Sequence, residues 1–235
     1  MNTHTLPIIA YHRSPLSQKF GIPRQPNLVA VKSTIEFVSP YDHPDAFVGI
    51  ENYSHLWILW QFHHNKEQAG FRPQVRPPRL GGNDKMGVFA TRSMYRPSAL
   101  GLSVVRLDKV ELVDEKVRLH LIGADMADGT PIVDVKPYLP FVDGVADAKG
   151  FDKPCVRAVQ ACEKAEQKFA QLVQNQRLGD DDWQIICELV AQDPRPAYRQ
   201  NEMNICCAMR YKSVDVDFYM NESEVLVLAD FREIF

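Results

Sequence analysis

The sequence predicts a mainly β protein, a small antiparallel β-barrel with a C-terminal α+β appendage, and three observations carry that prediction. Short apolar runs separated by clusters of Pro, Gly, Ser and Asn recur through residues 1–145 without helix-length stretches between them, unlike the βαβ alternation of a doubly wound sheet. GxGxxG, P-loop and HExxH patterns are missing, which disfavours a dinucleotide fold, a phosphate-cradling NTPase loop and a zincin. Beyond Gly150 the apolar spacing shifts toward a helical period, so residues 1–145 read as the barrel domain and 146–235 as the appendage.

In chain order, residues 7–11, 28–31 and 34–38 alternate with the turn clusters SPLSQ and GIPRQPN and are expected as strands. Residues 52–64, NYSHLWILWQFHH, form the most apolar run and read as a buried strand. Regular strand geometry would send the rings of His63 and His64 to opposite faces, where they cannot share one metal, and would likewise part Ser54 from His55, against a hydrolytic pair. Further strands are expected at 87–91, 100–107, 110–113 and 117–122. In PIVDVK, alternation places Asp134 and Lys136 on one face and Val133 and Val135 on the other. Residues 155–176 are expected as an amphipathic helix, since Val156, Val159, Cys162, Ala165, Phe169, Leu172 and Val173 recur at its spacing. A second helix at 182–191 starts with acids that suit its dipole, and strands at 205–211, 214–220 and 225–229 follow.

The 235 residues allow one or two domains, and a hydrophobic content of 45% with 24% charged residues is that of an ordinary soluble protein. No run approaches the ~20 apolar residues of a membrane span, and the N-terminus lacks a signal-peptide pattern, so a cytoplasmic protein without membrane contact is expected. Five cysteines without a CxxC pair argue against a disulfide framework and a structural zinc site; they read as reduced thiols, and no metal is expected. The formal net charge of -3 hides a split, with +6 on residues 1–110 and -9 on residues 111–235. The first half suits a phosphate-facing surface.

That excess is concentrated between Arg72 and Arg106, where seven basic residues (Arg72, Arg76, Arg79, Lys85, Arg92, Arg96 and Arg106) face one acid, Asp84. Pro73, Pro77, Pro78 and Pro97 with Gly81, Gly82, Gly87 and Gly101 rule out a long helix, so these side chains sit on stiff loops and short strands that suit a preformed pocket. Pro23, Arg24 and Gln25 make another proline-held loop, offering a guanidinium fork and an amide to a carboxylate, phosphate or base edge. Residues 123–143 gather Asp125, Asp128 and Asp134 near Lys136 and Tyr138, and DPRPAYR at 193–199 is a further arginine loop. Taken singly, a charge run is ordinarily a solvated face, though the prolines and apolar residues interleaved with these arginines favour a site, and Asp134 with Lys136 reads equally as a structural ion pair or a functional one.

Taken together, SHLWIL, VRPPRLGG, GVFATRS, DGTPIVDVKPYLP and DPRPAYR, in this order along almost the whole chain, resemble the TrmO family, also called YaeB or TsaA-like. The resemblance implies S-adenosylmethionine-dependent methyltransferases built on a small β-barrel instead of a Rossmann core. Such enzymes methylate the exocyclic nitrogen of threonylcarbamoyladenosine beside the tRNA anticodon, as homodimers with the cofactor near the subunit interface. The resemblance implies a cofactor site of Pro23, Arg24, Gln25, His63, His64, Arg92, Leu102, Ile122, Gly123, Ala124 and Asp125. Donors for the methionine carboxylate, acceptors for its amino group and ribose, and a partly apolar adenine wall are all among them. Methyl transfer to nitrogen also needs near-attack alignment and a proton acceptor, for which Asp134, Lys136 and Tyr138 are the catalytic candidates. Arg76, Arg79, Arg96 and Arg195 are the candidate RNA contacts. The rival reading is a non-catalytic tRNA-binding module, which would bind tRNA through the same basic surface without affinity for S-adenosylmethionine.

Overall fold

The computed structural model describes residues 4–65, 70–77, 84–151 and 154–234. Arg79, with Pro78, Gly81 and Gly82, lies outside the described residues. Six strands, β1 (Ala10–Arg13), β2 (Lys32–Phe37), β3 (His55–Gln61), β6 (Leu100–Val113), β7 (Lys116–Ile122) and β8 (Pro131–Pro137), close into an antiparallel barrel in the order β1-β2-β7-β6-β3-β8. Alternation places Ile35, Leu56, Ile58, Trp60, Val105, Leu119, Leu121 and Ile132 inside it. The short strands β4 (Gln74–Val75) and β5 (Met86–Gly87) pair as a separate ribbon.

The runs at 100–107 and 110–113 are one strand, because a bulge between Leu107 and Lys109 breaks the alternation without breaking the pairing. Residues 28–31 are not a strand, and 87–91 is largely a 3-10 turn over Val88–Ala90 that buries Val88. β3 stops at Gln61, so His63 and His64 leave the sheet and their ring centroids lie 3.8 Å apart instead of on opposite faces. Ser54 precedes β3, which frees its hydroxyl to bond Nδ1 of His55 at 3.0 Å, contrary to the parting expected within a strand.

A four-residue helix, α1 (Pro140–Asp143), leads out of the barrel, and the second core follows. There β9 (Val159–Ala161), α2 (Glu163–Gln174), α3 (Asp181–Ala191), β10 (Cys207–Tyr211), β11 (Val214–Met220) and β12 (Leu226–Glu233) build a sheet ordered β10-β11-β12-β9. The helix expected over 155–176 starts only at Glu163. Its first third is spent on β9, which pairs in parallel with β12 and satisfies that strand's edge. Ala165, Phe169 and Leu172 then form the buried stripe of α2. Asp182, in the first turn of α3, is buried and accepts hydrogen bonds from Gly179 N, Tyr211 Oη and Lys212 Nζ, fastening the helix to the β10–β11 hairpin.

Residues 14–31 leave the barrel between β1 and β2 and pack on the second core. Leu16, Val29 and Val31 are buried there, Phe20 stacks on Phe218 at 6.2 Å, and Lys212 N donates to Pro15 O at 2.7 Å. Gly21, at φ +98, is required because a Cβ would lie 2.3 Å from Met209 Cγ. No helix among the described residues is long and apolar enough to cross a membrane.

Gly101 lies tight against Trp60: a Cβ there would fall 2.3 Å from Cε2 of the indole. Gly101→Ala is expected to lower stability by about 1–3 kcal/mol in chemical denaturation, the cost of overpacking a core. Gly150→Ala, with nothing within 4 Å of the added methyl, is expected to leave the midpoint unchanged.

Candidate functional site

The excursion at 14–31 brings Pro23, Arg24 and Gln25 between the two cores. Arg24 Nη2 donates to Arg195 O at 3.1 Å and to Asp193 O at 3.5 Å, whereas Gln25 Oε1 accepts from Arg92 Nη1 at 2.5 Å. The loop is therefore held from the C-terminal side by one residue and from the basic stretch by the next. Asn27, in a left-handed conformation, donates through its backbone to Gly123 O and through Nδ2 to Val104 O, both at 2.8 Å. Gly123 sits at φ +87, and a Cβ there would meet Asn27 Oδ1 at 2.6 Å, so glycine permits residues 122–125 to lie against this loop.

Asp125 is half-buried beside them and is fixed by a relay through the barrel wall. Trp60 Nε1 donates to Ser103 Oγ at 3.0 Å, and Ser103 Oγ donates to Asp125 Oδ1 at 2.6 Å. The indole takes its direction from packing edge-on to Phe62 at 4.4 Å and lying over Gly101. Burial pushes the Asp125 carboxyl up to about 6, against the pull of the Ser103 hydroxyl, a backbone N–H and the charge of Arg92. Leu102, next to Ser103 on β6, points outward and is 52% exposed.

His63 and His64 are both exposed, and loss of hydration together with the His64 ring holds His63 below the usual imidazole value. Asn65 ties this segment to the basic stretch, donating to Met94 O at 2.7 Å, and accepts from Lys19 Nζ at 3.2 Å. Arg24, Gln25, Arg92 and residues 123–125 are thus linked at the barrel rim, with the histidine pair bordering the same basic loop and Leu102 on the outer face of β6 beside Ser103. Two guanidinium groups, an amide and a carboxylate next to an exposed leucine complement a zwitterionic amino acid joined to a flat base, so the donor set fits S-adenosylmethionine.

Asp134 and Lys136 share the outer face of β8, as the alternation predicts, and form an ion pair at 3.6 Å. Asp134 and Leu102 flank Leu59 from either side, roughly 10 Å apart at two inter-strand spacings. Tyr138 packs on Trp57 at 5.9 Å and His55 at 6.4 Å, away from Asp125. Among the RNA candidates Arg76 is exposed, and Arg96 is half-buried with Nη1 donating to Thr91 O at 3.4 Å. Arg195 is a correction: its side chain is 2% exposed, bound to both carboxylate oxygens of Asp193, and cannot reach a phosphate. Ser103, Trp60, Asn27 and Asn65 went unnoticed in the sequence, where a Ser or Trp inside an apolar run signals only core.

The relay has a pH signature. Asp125 binds a proton in the native state between its ordinary 3.8 and about 6, so its contribution to stability falls as pH rises through that window. His12, buried in the barrel and lowered from 6.5 to about 4, acts in the opposite sense and loses stability as pH falls. Asp125→Asn is therefore expected to steepen the loss of stability on acidification, read from denaturation midpoints at stepped pH. Ser103→Ala, removing a bond to the charged form, is expected to move the NMR titration of the Asp125 carboxyl upward.

The family model for the tRNA-methyltransferase O N-terminal domain matches residues 11–144, and that for the TrmO C-terminal domain matches residues 154–229. A tRNA (adenine(37)-N6)-methyltransferase of Escherichia coli strain K12 is 45% identical over 192 residues, covering 81% of this chain and 81% of the relative. A putative S-adenosylmethionine-dependent methyltransferase RcsF of Pseudomonas aeruginosa is 41% identical over 230 residues, covering 97% of each. A crystal structure of TrmO from Pseudomonas aeruginosa superposes with a TM-score of 0.79 at 34% identity, over 98% of this chain and 100% of that one. Models that match both cores, and identity at this level across nearly the full length, make the chain a member of the TrmO family.

Proposed function

We propose that the protein transfers a methyl group from S-adenosylmethionine to the N6 nitrogen of adenosine in tRNA, and that this adenosine is the threonylcarbamoyladenosine next to the anticodon. The observation that carries the reading is the gathering of Arg24, Gln25, Arg92 and Asp125 from three separate segments onto one rim. Relatives bearing the name tRNA (adenine(37)-N6)-methyltransferase supply the substrate class.

Arg24 and Arg92 offer charged N–H groups to the methionine carboxylate, and Gln25, bonded to Arg92, sets their spacing. Asp125, held by Ser103, accepts from the ammonium, and His63, His64, Leu102, Ile122, Gly123 and Ala124 border the ribose and adenine. Bound there, the cofactor supplies an electrophilic methyl group. The acceptor nitrogen is a poor nucleophile, its lone pair delocalised into the purine and the carbamoyl group, so alignment is the larger part of the task. Asp134, across Leu59 from Leu102, is the carboxylate assigned to take the departing proton, with Lys136 paired to it and Tyr138 bounding the face.

Arg76, Arg79 and Arg96 hold the RNA backbone. The protein acts in the cytoplasm as a homodimer. Residues 1–145 are the catalytic domain, and residues 146–235 are the domain that steadies Arg24.

Purified protein is expected to move a labelled methyl group from S-adenosylmethionine onto tRNA. Arg92→Ala is expected to weaken cofactor binding roughly 10–100-fold by calorimetry, the worth of a charge-assisted hydrogen bond, with an unchanged melting curve. Salt-sensitive tRNA binding with no heat on titrating S-adenosylmethionine would instead mark a non-catalytic tRNA-binding module.

A further inference from the structure

Two phenylalanines, one just before the basic stretch and one within it, are turned to solvent. Phe71 is 59% and Phe89 71% exposed, yet their rings stack, with centroids 6.2 Å apart and planes at 26°. Residues far apart in sequence meet here because β4 and β5 pair Gln74 with Gly87 and Val75 with Met86, and Val88 N donates to Pro73 O at 2.9 Å. Val88 is fully buried, and Thr91 Oγ1 donates to its carbonyl at 2.9 Å, so the turn is rooted by Val88 and its neighbour Phe89 is held outward. Single exposed apolar residues are ordinary on a surface; a stacked pair on a hydrogen-bonded ribbon is an ordered apolar platform.

The charges around it indicate what it takes. Arg72 adjoins Phe71, Arg76 follows β4, Lys85 precedes β5, and Arg92 lies three residues beyond Phe89; all four are exposed. Among the described residues none of the four is ion-paired, whereas Arg13, Arg210 and Arg232 elsewhere each hold a carboxylate within 3 Å. Flat apolar faces ringed by unpaired cations complement a ligand with π faces strung on a polyanionic backbone, which is single-stranded nucleic acid with its bases unstacked. A second copy of this chain would have to bring an acidic, apolar surface to the same place.

We propose that Phe71 and Phe89 are a stacking platform for an unpaired base of the RNA, with Arg72, Arg76 and Lys85 on the flanking phosphates. The proposal deepens the reading as a tRNA methyltransferase and rests on it for the identity of the RNA. Arg92, three residues beyond Phe89, bonds Gln25 and so joins the loop that carries the platform to the cofactor patch.

The test titrates the full chain with a fluorescent anticodon stem-loop RNA, and with a duplex RNA of equal length, at stepped salt. Phe71→Leu and Phe89→Leu keep an apolar side chain but lose the ring, and are expected to weaken stem-loop binding about tenfold, within the range for base–aromatic stacking. Duplex binding, salt slope and calorimetric affinity for S-adenosylmethionine are expected to stay at parent values. Phe89→Tyr is expected to restore the affinity, and Arg72→Ala to reduce the salt slope by about 0.7, the figure for one single-strand phosphate. Parent affinity in Phe89→Leu, equal losses for duplex and stem-loop, or a loss that accompanies a change in sedimenting mass would each overturn the platform, the last by assigning the pair to a contact between copies. A parent protein that binds the stem-loop ring-dependently but transfers no methyl group would leave the platform standing and remove the catalytic reading.

Discussion

The spacing of the candidate site is set by a buried ion pair that is not part of it. Arg195 grips Asp193 through Nε and Nη2 at 2.8 and 2.9 Å, and spends its other bonds on Glu202 O and Gln200 O at 2.9 and 3.0 Å. With both ends satisfied, the pair fixes a loop whose Asp193 is in a left-handed conformation, and the carbonyls of residues 193 and 195 point at Arg24. Burying such a pair costs desolvation roughly equal to its attraction, but removing one partner costs about 3–5 kcal/mol, so its worth lies in geometry. The acidic half of the chain thereby contributes to a site on the basic half through backbone dipoles.

The same reasoning explains why the chain wanders at 14–31. A closed barrel has no free edge and a filled interior, so a ligand site can only be built on its rim or outer wall. A rim loop of this length would be loose on its own. Packing Leu16, Phe20, Val29 and Val31 into the second core stiffens it at both ends, while in its middle Arg24 bonds the C-terminal carbonyls and Asn27 bonds the barrel. Gly21 and Gly123 mark the two places where backbone must come closer than a Cβ allows, one against Met209 and one against Asn27.

The sequence held much of this, unevenly. The apolar run at 52–64 located β3, and alternation located β7 and set Asp134 and Lys136 on one face of β8, because each strand has one face in the barrel. The failures share a cause, tertiary partners that spacing does not encode. Val156, Val159 and Cys162 fit a helix until β12 offers an unpaired edge, and residues 28–31 fit a strand until the second core takes their side chains. Arg195 looked like its neighbours in other arginine loops; only the left-handed turn at Asp193 folds a carboxylate back onto it. The Trp60–Ser103–Asp125 relay was invisible because it crosses three segments, and its direction depends on one absent side chain at Gly101.

A protein of net charge -3 holding a polyanion invites an electrostatic objection, and the pairing of its charges meets it. In the second core Asp193, Asp215, Asp217 and Asp230 are each matched by Arg195, Arg210, Arg232 and Lys164, and Asp182 by Lys212. Those carboxylates are neutralised within a few ångströms, and beyond a Debye length of about 8 Å at physiological salt what remains of their field is screened. The exposed cations of the basic loop have no such partners among the described residues, so within a Debye length their charge is offset by no neighbouring carboxylate. What an approaching RNA meets is governed by the local excess around Phe71 and Phe89, and the sign of the whole molecule has little bearing on it.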